Sequence, residues 1–107
     1  MFNTHRMLLL LSLPLFLMNI YCSKNGYLKV CNQSNALIEG VRWGNVIELG
    51  PIEVGQEAGK ETDHHESLRI YFKKNGEEFV SKRLYTVDAN TSATYIHKDS
   101  SDAENAD

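Results

Sequence analysis

One stretch, Val41 to Gly59 (VRWGNVIELGPIEVGQEAG), limits the folds open to this chain more than any other. It holds the sole tryptophan, Trp43, together with Gly44, Gly50, Gly55, Gly59 and Pro51, set between short apolar–polar alternations. Alternation at a two-residue period places successive side chains on opposite faces, and Gly and Pro punctuate it. The stretch therefore reads as strand, tight turn, strand, bend, strand. It predicts a small all-β domain whose core closes around Trp43.

The flanking sequence continues that pattern. Tyr27 to Cys31 alternates, with Leu28 and Val30 opposite Lys29, and Asn32 to Asn35 is a turn cluster. Ala36 to Trp43 reads as a strand with Leu37, Glu39, Val41 and Trp43 on one side and Ile38, Gly40 and Arg42 on the other. Gly40 inside it signals a bulge, which would let Glu39 leave the core. Gly44-Asn45 turns the chain back into Val46 to Leu49, Gly50-Pro51 ends that strand, and Ile52 to Gly55 is a bend. Gln56 to Glu66 (QEAGKETDHHE) is polar apart from Ala58 and Gly59 and reads as an edge strand or exposed loop.

Ser67 to Lys73 is the clearest strand, and Asn75-Gly76 is the strongest hairpin signal. A two-residue loop there sets Phe72 opposite Phe79 and Tyr71 opposite Val80, both favourable cross-strand pairs, and Arg69 opposite Lys82. The apolar parity changes between Phe79 and Leu84, which predicts a bulge near Ser81 to Arg83. Thr91 to His97 is the last strand. The expected architecture is a small antiparallel β-sandwich of six or seven strands, or a partly open barrel, following an N-terminal signal helix. The boundaries are a signal peptide over 1–22, a spacer over 23–26, the β-domain over 27–98 and a disordered acidic tail over 99–107.

The N-terminal segment bears on location. Arg6 precedes an apolar run, Met7 to Tyr21, broken only by Ser12, Pro14 and Asn19. A charged start followed by such a run fits a secretory signal, and it is short for a spanning helix, which needs about 20 apolar residues. Cys22 follows directly, where a lipidated cysteine becomes the mature N-terminus. The residues before it carry Asn19 and Tyr21 where that motif has Leu and a small residue. Past residue 22 lie all 14 acidic residues, against ten Lys and Arg (the total of 11 less Arg6). This mild acidity offers no basic stripe for phosphates, so no nucleic-acid partner is expected. A monomer is.

The two cysteines allow exclusive readings. With Cys22 lipidated, Cys31 is a lone thiol packed as a small apolar side chain; with Cys22 unmodified, the two could pair in an oxidising compartment. Neither makes Cys31 a nucleophile.

Asp63-His64-His65-Glu66 is the cluster with metal-ligand chemistry, and His97 is a further candidate from another strand. Adjacent histidines on a strand diverge, and zinc-domain spacings are absent, so a solvated loop is the reading preferred over a metal site. Glu77 and Glu78 read as solubilising charges, and no nucleophile elbow, phosphate loop or Cys-His arrangement appears. No cofactor and no catalytic residue is expected. Asn32-Gln33-Ser34 and Asn90-Thr91-Ser92 match the N-glycosylation pattern. Tyr27, Tyr71, Tyr85 and Tyr95 would form a binding patch if several shared one exposed face.

Ile38 to Trp43 (IEGVRW), then Leu49-Gly50, Ile52, Gly55 and Gly59, with the Asn32–Asn35 turn ahead of them, resemble small exported bacterial lipoproteins. In those, one immunoglobulin-like or transthyretin-like β-sandwich follows a lipidated cysteine. The resemblance implies architecture and location, at the outer membrane, periplasm or cell surface, and no catalytic residues. The expected function is non-enzymatic recognition by a sheet face or edge strand. Two alternatives stand beside it: an inhibitor or immunity-type protein that inserts the polar segment 56–66 into a secreted enzyme, and a small metal-binding module using His64, His65 and His97.

Overall fold

A computed structural model describes residues 25–99 and 103–106. The expected signal peptide over 1–22 and the lipidation of Cys22 lie outside these residues, as does any Cys22–Cys31 disulfide. All the described secondary structure is β: β1 (Gly26–Asn32), β2 (Ile38–Trp43), β3 (Ile47–Ile52), β4 (Glu57–Thr62), β5 (Glu66–Leu68), β6 (Ile70–Lys74), β7 (Glu77–Ser81), β8 (Tyr85–Val87), β9 (Ser92–His97) and β10 (Ala103–Asn105). They form a three-stranded sheet (β4-β1-β9), a five-stranded sheet (β10-β7-β6-β2-β3) and a two-stranded sheet (β5-β8). One cluster of buried side chains draws on all three: Leu28 and Tyr95 from the first, Trp43, Ile70 and Phe72 from the second, Val87 from the third.

Alternation explains most of the packing. Leu28, Val30 and Asn32 of β1 turn inward, as do Ala93, Tyr95 and His97 of β9. The hairpin at Asn75-Gly76 has the expected register, Phe72↔Phe79 and Tyr71↔Val80. Both turn residues have positive φ (53° and 80°), the conformation that matches the twist of the flanking strands. The two phenyl rings stack with centroids 5.6 Å apart.

Bulges explain where simple alternation fails. Ile38 and Val41 are both fully buried although three residues apart, which a regular strand cannot achieve. The ladders to β3 and β6 both shift register across Glu39-Gly40, and Gly40 takes φ 55°. Glu39 thereby reaches solvent, as the sequence predicts. Ile38, however, faces the core and Leu37 is exposed, the reverse of the assignment by parity. A matching irregularity at Gly50 (φ 74°) carries β3 through Pro51 to a buried Ile52, so Gly50-Pro51 bends the strand and does not end it.

Four further differences have long-range causes. The Ser67–Lys73 strand is divided at Arg69, because the chain leaves β8 and joins β2 and β7 there; Gly44 N–H donates to Arg69 O (2.9 Å) and Ile70 N–H to Ser81 Oγ (2.9 Å). The parity change after Phe79 is this same transfer between sheets on the return arm, from β7 to β8. β1 and β9 run parallel, since β9 returns after all the intervening strands and enters from the same end; the sheets are therefore not purely antiparallel. Residues 103–105, expected to be disordered, pair with β7, with Ala103 packed against the core. Those divisions and the tail account for ten strands where six or seven are expected.

Candidate functional site

The outer face of the five-stranded sheet is indented where the Gly40 bulge interrupts it. A groove of about 750 Å³ is lined by Leu37, Glu39, Gly40, Pro51 and Glu53. Ile38 stands opposite Ile52 and both point inward, so Leu37, Glu39, Pro51 and Glu53 around them project outward. Two smaller grooves of about 240 and 210 Å³ adjoin it across β6, both sharing Glu39 and Lys73. Together they make a trough across β3, β2 and β6 as far as Gly76 and Glu78, with apolar Leu37 and Pro51 at one end and carboxylates along it. Among the described residues, neither Glu39 nor Glu53 has a cation within ion-pair distance.

The trough occupies one end of the fold. Beneath it, Asn32 ends β1, fully buried, with a side chain that ties three segments together. Its Nδ2 donates to Ala36 O (2.9 Å) and Ile52 O (2.8 Å), and its Oδ1 accepts from Ser34 N–H (3.0 Å) and Ser34 Oγ–H (2.7 Å). The Leu37 and Glu53 sides of the trough are thus anchored to β1 through one amide.

His97 lies at the same end, opposite Asn32 in the parallel ladder. It is 3% exposed, with its ring centroid 4.6 Å from that of Phe72. Lys74 Nζ is 3.2 Å from Nε2, and Tyr95 Oη is 3.0 Å from Nδ1. An ammonium only donates, so Nε2 accepts and the ring proton sits on Nδ1, directed at Tyr95. Lys74 also lies 3.7 Å from Asp99, whose carboxylate accepts from Asn35 N–H. Burial, and then the Lys74 charge, push the His97 pKa down to about 4, with Asp99 opposing. The unfolded chain takes up this proton near the ordinary value of 6.5 and the folded chain only near 4. The stabilisation of the neutral ring is therefore complete above the upper value and is lost as pH falls through the window. Urea unfolding of the wild type between pH 7 and pH 4 should show a loss of about 3 kcal/mol that His97→Gln lacks. Equal slopes in the two proteins would remove His97 as the source.

His64 and His65 lie between β4 and β5 at the other end. Thr62 pairs with Gly26 and His97 with Asn32, so the two places are separated by the length of β1, roughly 20 Å. The structure does not bring the three histidines together, and no group of three or more metal-ligating side chains occurs among the described residues. His64 pairs with Glu66, and His65 Nδ1 is 3.6 Å from Asp88. The polar stretch forms edge strand β4 along β1 rather than a protruding loop; only 63–65 loop out.

The remaining candidates are dispersed. Cys31 projects from the outer face of β1, half-buried, and its Sγ lies 3.5 Å from Glu57 Oε2. It is not packed in the core. Burial, with the hydrogen bond and charge of Glu57, raises its pKa above the ordinary thiol value, which disfavours the thiolate. The Asn32 amide, buried and fully bonded, has no room for a glycan, whereas Asn90 is exposed in a turn. Tyr27 is exposed on β1, Tyr71 is half-buried against Arg42, and Tyr95 is buried, so the tyrosines share no patch. Sequence reasoning missed the trough because its apolar members, Leu37 and Pro51, face outward only through the two bulges. The Gly40 irregularity was the available signal.

The chain matches no protein-family model, no curated protein and no solved structure.

Proposed function

We propose that the chain is an exported, non-enzymatic recognition domain that engages a protein or ligand in the trough over Leu37, Glu39, Pro51 and Glu53. In this reading the two larger sheets face each other across the Trp43 core as a β-sandwich. The apolar segment Met7–Tyr21 directs export, and a lipid on Cys22 holds the domain at the cell envelope.

One placement carries the proposal. Cys22 precedes β1, which begins at Gly26, and the trough lies at the far end of that strand, beside Asn32. A tether at the Gly26 end would leave the trough facing away from the membrane, open to partners. The chemistry of the trough suits recognition: apolar Leu37 and Pro51 supply contact area, and Glu39 and Glu53 supply orientation. Pro51 lacks an N–H and Gly50 distorts β3, which discourages strand addition at that edge and leaves side-chain recognition on the face.

Photo-crosslinking in the producing cell tests this. A photoreactive residue at Leu37 or Glu53 should give a discrete adduct, and the same residue at Asn90 should not. Mass spectrometry of the purified protein should find the mature N-terminus at an acylated Cys22. Adducts confined to the Asn90 end, or an unprocessed N-terminus, would overturn the reading.

A further inference from the structure

The outer edge of β7 suggests a second interaction surface, which meets the trough at Gly76 and Glu78. β7 runs for five residues, and β10 covers it over three, Ala103↔Ser81, Glu104↔Val80 and Asn105↔Phe79. Ala106 N–H donates to Glu78 O (3.0 Å), so the bonds to β10 come from Glu78 and, by the two-residue alternation, Val80. Glu77 follows Glu78 at the hairpin end of that edge. A groove of about 420 Å³, lined by Gly76, Glu77, Glu78 and Asn105, continues its line.

The cover is poorly matched in charge. Glu104 follows the same edge as Glu78, and Glu77 borders the groove. Lys73 and Lys74 stand across from Glu78 and Glu77 on β6, the opposite side of β7. Lys74 is turned to His97 and Asp99. Only Ala103 of β10 packs against the core. A short strand holding few buried atoms beside like charge is a weak occupant of a sheet edge.

We infer that the β7 edge is a strand-acceptor site for a basic extended segment of a partner protein, with the chain's own acidic C-terminal strand as its replaceable cover. The incoming strand bonds to the backbone of Glu78 and Val80 as β10 does. It continues past Asn105 into the groove, and its Lys or Arg side chains meet Glu77 and Glu78 where the resident strand offers Glu104.

The test uses the full chain and two synthetic nonapeptides. One has the sequence of residues 99–107; the other has lysine in place of Asp99, Asp102, Glu104 and Asp107. Glu104→Pro/Ala106→Pro removes the two N–H groups that hold β10 on β7 and should loosen the cover. The lysine peptide should bind this variant at least tenfold more tightly than it binds the wild type, and more tightly than the native-sequence peptide does. Adding Glu77→Gln/Glu78→Gln should abolish that preference. Equal affinity of the two peptides for the variant, or binding by neither, would overturn the proposal. So would a swapped dimer in sedimentation, which assigns the edge to a second copy of the chain. If the proline variant does not fold, amide shifts at Glu78 and Val80 of the wild type titrated with the lysine peptide give the same readout, and their absence has the same consequence.

Discussion

Trp43→Ala is expected to destabilise the domain by about 3–5 kcal/mol, the range for removing a large aromatic side chain from a core. Trp43 is fully buried, and its Nε1–H donates to Tyr85 O at 2.9 Å, so the indole joins β2 of the five-stranded sheet to β8 of the two-stranded one. Truncation creates a cavity and also strands a carbonyl. For a domain of this size, with total stability on the order of 4–12 kcal/mol, the loss is a large fraction of what holds it folded. Trp43→Phe keeps most of the ring and loses the hydrogen bond; its cost should be smaller, about 1–3 kcal/mol. Urea unfolding followed by circular dichroism measures both, because the sole tryptophan fluorophore is lost. A Trp43→Ala cost below about 1 kcal/mol would place the indole outside the core.

Asn32→Asp should be comparably damaging and should distinguish a hydrogen-bonding role from a packing one. The wild-type amide donates twice, to Ala36 O and Ile52 O, and accepts twice from Ser34. A carboxylate keeps the acceptors and turns its other oxygen, as an anion, toward two carbonyl oxygens in a buried site. Leaving a buried charge uncompensated costs about 3–5 kcal/mol. Asn32→Ala removes the amide without adding charge and should cost about 2–3 kcal/mol. At neutral pH the Asp variant should therefore be the less stable of the two. Its deficit should shrink on acidification, because the folded state favours the protonated carboxyl, which can donate one bond. An Asp variant as stable as the Ala variant at neutral pH would show that this side chain does not donate to Ala36 and Ile52.

The two residues differ in how far they could be read beforehand. Trp43 sits in an alternating run beside Gly44-Asn45, and a lone tryptophan in such a run has little alternative to the core. Asn32 stands in Asn-Gln-Ser-Asn, which reads as a solvated turn. Its burial depends on Ile52 O, supplied by β3 from 20 residues further along, and no local pattern announces that. His97 is a similar case. Its inward direction follows from the rhythm of β9, but its chemistry comes from Lys74, on a strand of another sheet. Of the trough only the Gly40 bulge was legible, and the β7 edge was not legible at all, since both are made by residues that pairing brings together.

Taken alone, the chain determined its all-β character, the burial of Trp43, the Asn75-Gly76 hairpin with its register, and the Gly40 bulge. These are properties of a few adjacent residues: side-chain alternation, turn conformation and the freedom of a residue without a Cβ. Tertiary structure alone decided that β9 runs parallel to β1, that the chain changes sheets at Arg69, that Ala103–Asn105 joins β7, and that His64 and His97 lie at opposite ends. A strand's backbone offers the same donors and acceptors to any neighbour. Which neighbour it takes is chosen by the packing of the whole core, and that choice is not written within any single segment.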